Sequence, residues 1–518
     1  MSTVQEISLA DVHILADVHI DSELPPLAWL AEVSENTVRL WCGDRVEVRE
    51  DGFFEGCWAD DFDNFTFDEV ANVFGSGGKI SGERVLFVPP SHTLEGLYVL
   101  DKGGRFIVSN SLPFLLNVEN IELEFDFDIG SRFASILKGT AEYERVLFRG
   151  GDWILYRIFH EKIEVRNGQL TLRRVEESLP FTTFEEYKRY LVATIKKTFE
   201  NGSSPLRTTQ LSPIATCSNG YDSPACAALA ASLGCNEALA LTTARGGSAD
   251  SGRAIAERLG MKVQEFEREA RSTDRAFGEA EFLATGMGGE DYVLGVLAPH
   301  WANKIVVSGF LGGTMWQTDY APTSTIARKD CSGSSWTENR LRHGFVLLPV
   351  PFIGCTHHDQ ILRISQSAEM EAYRIEGEYD RPIPRRILEE LGIPRQAFGR
   401  VKKGYSICFN YSSMWWSPTA LNDLKSFERR IVARRADSGE YVLRHNTHTV
   451  VVAGFYLAQK ICRSVGAGWL PRAVIKLLIR DFPIYEHNHP RYGGIAFLWA
   501  LEKVRSRYPS RELANVAR

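Results

Sequence analysis

The run Cys217-Ser218-Asn219-Gly220-Tyr221-Asp222-Ser223 concentrates residue types that can hold an oxyanion. Ser218 and Ser223 supply hydroxyl donors, and the small residues Ser218 and Gly220 let the backbone approach phosphate oxygens closely. The pattern around the run places it between a strand, "LSPIATC" (211–217), and a helix, "SPACAALAASLG" (223–234). The first turn of such a helix offers unpaired N–H groups and the positive end of the helix dipole. Asp222 would repel bare phosphate, so its presence points to Mg²⁺ held between carboxylate and polyphosphate. The same residue types also make an ordinary capped helix start. Placement after the first strand of an alternating series favours the anion site.

Other side chains offer weaker chemistry. Arg245-Gly246-Gly247-Ser248 follows the next predicted strand, which makes Arg245 a candidate phosphate partner and puts backbone near Thr242 within reach of an adenine. Lys402 and Lys403 precede Gly404-Tyr405; a lysine pair alone reads as solvated surface charge. His357-His358, His445-x-x-His448 and His487-x-His489 have ligand-like spacings, yet no cysteine or carboxylate completes a zinc set. Arg472, Lys476 and Arg480 share one helical face, read as a solvated one.

These residues need elements to position them. Thr183-Phe184-Glu185-Glu186 fits a capping box, followed by an apolar stripe at Tyr187, Leu191, Ile195 and Phe199. Beyond it the chain alternates strand and helix: 211–217, 223–234, 237–243, 248–260 and 262–268. That order predicts a parallel sheet covered by helices. The first 180 or so residues instead show short β-rich runs at 84–90, 96–101, 105–111 and 152–158. Hairpin turns are expected at Asp101–Gly104 and at Asn167-Gly168. Beyond about residue 360 the pattern is mainly helical, interrupted by Pro382, Pro384 and Pro394.

Composition bounds the rest. At roughly 150 residues per domain, 518 residues imply two to four domains. A hydrophobic fraction of 44% and a charged fraction of 24% are those of a globular protein. Fifty-nine Lys+Arg against 66 Asp+Glu give a formal net charge of −7, which argues against nucleic acid as a partner. Nine cysteines without a C-x-x-C pair suggest buried thiols in a reducing compartment. With neither a leader-like start nor a run of about 18 apolar residues, the expected location is cytoplasmic.

The S-N-G-Y-D-S run resembles the S-G-G-x-D-S loop of the PP-loop ATP pyrophosphatases. Its surroundings are most similar to the synthetase domain of asparagine synthetase and its relatives, the β-lactam synthetases and lasso-peptide cyclases. "LRHGFVLLPVPFIG" (341–354) resembles the family stretch ending in a P-F-L-D turn, "RRILEELGIPRQAFGRVKKGYSI" (385–407) its K-K-G closing segment, and "GLYVLDKGGRFIVSNSLPFLL" (96–116) its glutaminase domain. The resemblance implies an α/β protein: an Ntn-like, β-rich α+β glutaminase-like domain over 1–180, then a PP-loop (adenine nucleotide α-hydrolase-like) domain over 181–518, helical from about 410. It implies an ATP-dependent ligase, with ATP and Mg²⁺ as cofactors, that adenylates a small-molecule or peptide carboxylate and joins it to an amine or ammonia. An intramolecular cyclase and a non-catalytic nucleotide-binding scaffold are the alternatives. Ser218, Asn219, Gly220, Tyr221, Asp222, Ser223, Thr242, Arg245, Ser308 and Gly309 would bind ATP and pyrophosphate. Lys403 or Lys402 would act with Asp222 in catalysis, since a fixed cation stabilises developing negative charge.

The chain also departs from the family. Ser2, not cysteine, follows the initiator, so the glutaminase-like domain is expected to lack glutaminase activity. The family's S-G-x-G-x-D-E acids are missing from Ser308-Gly309-Phe310-Leu311-Gly312-Gly313. A second metal ligand beside Asp222 would then have to come from Glu290, Asp291 or Asp319, unless the metal site is altered or lost.

Overall fold

The computed structural model describes residues 14–34, 37–126, 128–174, 181–270, 276–318, 326, 328, 330–375, 377, 379–399, 403–407, 409–410, 413–435 and 490–509. In the front region, alternating apolar runs form β1 (Ile14–Ile20), β2 (Trp29–Ser34), β3 (Thr37–Cys42), β4 (Glu47–Arg49), β5 (Gly52–Trp58), β6 (Val73–Ser81), β7 (Arg84–Val88), β8 (Leu97–Lys102), β9 (Arg105–Ser109), β10 (Val146–Arg149), β11 (Ile154–Ile158), β12 (Lys162–Arg166) and β13 (Gln169–Arg173). They make two sheets, ordered β1-β3-β2-β9-β8-β11-β10 and β13-β12-β7-β6-β5-β4. Every pairing is antiparallel except β1 with β3, which is parallel. The period of two is visible in the packing: Trp29, Ala31 and Val33 of β2 join a core with Phe53, Phe87 and Ile163 of the other sheet, while Leu30 points to the opposite face. Asn167 and Gly168, at φ +50° and +69°, close the β12–β13 hairpin in the left-handed backbone that such a two-residue turn requires.

Thr183 starts the helix Phe184–Gly202 with a complete capping box, and Tyr187, Leu191, Ile195 and Phe199 are all buried. Five parallel strands follow: β14 (Ser212–Thr216), β15 (Glu237–Leu241), β16 (Lys262–Phe266), β17 (Lys304–Ser308) and β18 (Val346–Pro349), ordered β16-β15-β14-β17-β18. The helix expected over 248–260 covers only Arg253–Arg258. The residues before it are drawn into bridges, Thr243 with Ala249 and Ser218 with Ser251, and so cannot be helical. Pro382 and Pro384 do not interrupt a helix; they stand in the first turn of the helix Pro382–Glu390, where no backbone donor is needed. The seven described cysteines are free and buried. Cys408, Cys462, residues 1–13 and the Arg472–Arg480 face lie outside the described residues, as do His445, His448, His487 and His489.

The helix Thr337–His343 joins the two regions through charged side chains. Glu338 is buried; Ser111 Oγ donates to its Oε1 and Tyr508 Oη to its Oε2, each at 2.8 Å. Burial pushes this carboxyl up to about 7. A raised acid pKa means that the folded state binds the proton more tightly, so this contribution is complete below about pH 4.5 and lost as pH rises to 7. Glu338→Gln is therefore expected to gain on the order of 2–3 kcal/mol over wild type above neutrality. That gain should fade toward acid pH in denaturant titrations. An equal effect at both pH values would count against a buried ionising Glu338.

Candidate functional site

The candidate crevice is the space beyond the carboxyl ends of β14 and β17, where the strand order reverses. β15 and β16 lie to one side of β14, and β17 and β18 to the other, so the loops after β14 and β17 flank a topological switch point. Open parallel sheets bind ligands there, beyond the carboxyl ends of the strands. The loop after β14 enters the helix Asp222–Ala231. Within it the Ser218 N–H donates to Ser223 Oγ at 3.1 Å, the two hydroxyls lie 2.9 Å apart, and the Gly220 N–H donates to Ser218 Oγ at 3.3 Å. The loop after β17 packs against this first helical turn. A Cβ on Gly309 would lie 2.5 Å from Ser223 N, and one on Gly312 would lie 2.6 Å from Asp222 Cγ. Glycine is required at both positions for close approach.

Neither Asn219, which stands where the resembled loop has glycine, nor Gly220 adopts a left-handed backbone. The Asn219 N–H donates to the Asp250 carbonyl at 2.9 Å and its carbonyl accepts from Gly399 N–H at 2.7 Å, which holds the turn from both sides. A Cβ on Gly220 would lie 3.0 Å from Tyr379 Oη, so a larger residue would crowd that hydroxyl. The Tyr221 side chain faces away from solvent: its ring stacks on Tyr379 at 4.1 Å and its hydroxyl donates to the Tyr379 carbonyl. It anchors the loop and leaves only its backbone at the crevice. Ser308 ends β17 with its hydroxyl buried and without a hydrogen-bond partner.

Lys403 and Gly404 of the K-K-G run meet the loop after β15 at the same end of the sheet. Lys403 Nζ donates to the Ala249 carbonyl at 2.5 Å, and the Gly404 carbonyl accepts from Arg245 N–H at 2.7 Å. Asp250, beside Lys403, is pushed up to about 6 by burial, against the pull of the lysine. Thr242 is engaged elsewhere: its hydroxyl donates to Glu267 Oε2 at 2.9 Å and its carbonyl accepts from Asp250 N–H at 3.0 Å. Lys402 and Asp319 lie outside the described residues.

The described residues do not fit Mg²⁺. Asp222 forms an ion pair with Arg381, whose side chain is 4% exposed. Asp291 already accepts from Tyr405 Oη at 2.7 Å, Gly333 N–H at 2.8 Å, and Ser335 Oγ and N–H at 2.7 and 3.0 Å. Glu290 is pushed up to about 8 by burial and by the neighbouring Asp291 and Asp330. Of the histidine pairs, His357 packs edge-on against Phe181 and His358 bonds the Thr314 carbonyl. Among the described residues, no group of three or more His, Cys, Asp or Glu is arranged to hold a metal.

Sequence reasoning did not single out Arg381, Tyr379 or Asp250. The signal for Arg381 was the density of Arg381, Arg385 and Arg386 at a proline-started helix, 159 residues from its partner Asp222. Fold and crevice together define a mixed α/β protein, with an antiparallel β-rich region followed by a five-stranded parallel sheet. No protein-family model matches the chain, and no curated protein matches it. Among the described residues, no helix is long and apolar enough to cross a membrane.

Proposed function

We propose that this protein is an ATP-dependent ligase that activates a carboxylate as its acyl adenylate and passes the acyl group to an amine. The observation that carries the reading is the meeting of the Ser218–Ser223 loop with the Gly309–Gly312 segment at the switch point of a parallel sheet. In this reading the substrate carboxylate attacks the α-phosphorus of ATP and pyrophosphate leaves. The amine nitrogen then attacks the acyl carbon, loses a proton and expels AMP. Ser218, Ser223 and the start of the Asp222–Ala231 helix receive the leaving pyrophosphate, the two hydroxyls lying together at the positive end of the helix. Lys403, which donates to Ala249 next to the Asp250 carbonyl that accepts from Asn219 of the loop, is the cation that would steady the charge developing as the adenylate collapses. No step is assigned to Mg²⁺.

The test is release of AMP and pyrophosphate with paired libraries of carboxylates and amines, products being identified by mass. Product mass also separates joining of two molecules from ring closure within one. Ser223→Ala is expected to lower turnover about tenfold to a hundredfold, the worth of one hydrogen bond to a charged group. ATP binding without pyrophosphate release for any pair would leave a nucleotide-binding scaffold in place of a ligase.

A further inference from the structure

We infer that Arg381 is the resident cation of this crevice, doing for the loop what a divalent metal would otherwise do, so that phosphate binds without Mg²⁺. The inference rests on the reading of the crevice as a phosphate site. Asp222 stands in the first turn of its helix, where a lone carboxylate would repel an anion. Its charge is met by the Arg381 guanidinium, which donates through Nη1 to Asp222 Oδ2. That guanidinium is held in place: its carbon sits 4.5 Å over the Tyr379 ring, and a Cβ on Gly313 would lie 2.6 Å from Nη2. Tyr379 in turn stacks on Tyr221 of the loop, so the cation and the loop share one support.

Guanidinium stays charged at any working pH and presents five donors in a planar fork, a shape matched to phosphate oxygens. Asp222 engages one end of the fork, while Nε is buried with no hydrogen-bond partner. A phosphate oxygen that took one of the remaining donors would set Arg381 between carboxylate and phosphate, the bridging role that Asp222 alone suggested for Mg²⁺. A metal that took Asp222 would strand a buried, permanently charged side chain, which is strongly unfavourable. The neutral Gly309, Gly312 and Gly313 pack directly on Ser223, Asp222 and Arg381, so a bulkier acidic side chain has no room beside the pair.

The test is calorimetric titration of the full chain with inorganic pyrophosphate and with ATP, each in Mg²⁺ and in EDTA. Wild type is expected to bind at least as tightly in EDTA as in Mg²⁺. Arg381→Ala should lose about a hundredfold in EDTA, equivalent to two factors of ten, and recover part of it in Mg²⁺ because Asp222 is released. Arg381→Lys, which keeps the charge and loses the fork, should fall between the two. Should Arg381→Ala not fold, as judged by circular dichroism, the two wild-type titrations and Arg381→Lys decide. Wild-type binding that needs Mg²⁺ overturns the inference and leaves the phosphate site standing. So does Arg381→Ala binding as tightly as wild type in EDTA. Absence of binding by wild type in both buffers overturns the phosphate reading itself, and the inference with it.

Discussion

Gly309→Ala is expected to reduce pyrophosphate release by a factor of about a hundred to a thousand, the scale on which loss of a preorganised donor acts. The added methyl would lie 2.5 Å from Ser223 N and 2.7 Å from the Asp222 carbonyl carbon. It would therefore occupy space against the Ser223 N–H, at the helix end where this reading puts the anion. Gly309 is not in the left-handed region, so alanine is not excluded by backbone conformation. The strain comes only from crowding, about 1–3 kcal/mol for overpacking, which a core of this size can absorb. Gly278→Ala serves as the control, since a Cβ there meets nothing within 4 Å. Steady-state rates alongside thermal melts separate the effects. Near-wild-type rates for Gly309→Ala would remove the first turn of this helix from the site.

What could be read along the chain was whatever is decided within a few residues. The Asn167-Gly168 hairpin, the Thr183 capping box and the buried stripe of the following helix depend on neighbours two to four positions apart, and they stand where periodicity puts them. The anion loop was legible for the same reason: strand, small residues and helix are contiguous. Contacts between distant segments were not legible. Asp222 reads as a metal ligand until Arg381 arrives from 159 residues away. Asp291 reads as a candidate ligand until Tyr405, Gly333 and Ser335 occupy its oxygens. The helix that loses its start at residues 249–251 yields to bridges with Thr243 and Ser218, a tertiary demand that outweighs local propensity.

The same long-range logic governs stability at the junction of the two regions. Arg340, on the helix Thr337–His343, donates from Nη1 and Nη2 to Glu55 of β5 and from Nε to Glu95, all at 2.8 Å. None of the three residues is more than 6% exposed. Such a triad contributes little net stability when intact, because desolvating three charges offsets most of their attraction. Breaking it is different. Arg340→Ala leaves two carboxylates facing each other without a counter-charge, and is expected to lower the unfolding free energy by about 3–5 kcal/mol. Burial already pushes the Glu55 carboxyl up despite the arginine, so without Arg340 it should take up a proton. The deficit is therefore expected to shrink as pH is lowered from neutrality, the direction linkage requires when the folded state gains the proton. Equilibrium denaturation across that range checks both parts. A loss under about 1 kcal/mol, the level of an exposed ion pair, would mean that water reaches Glu55 and that the junction is not sealed. A large loss independent of pH would place the cost in the vacated volume of the side chain, not in the stranded charge.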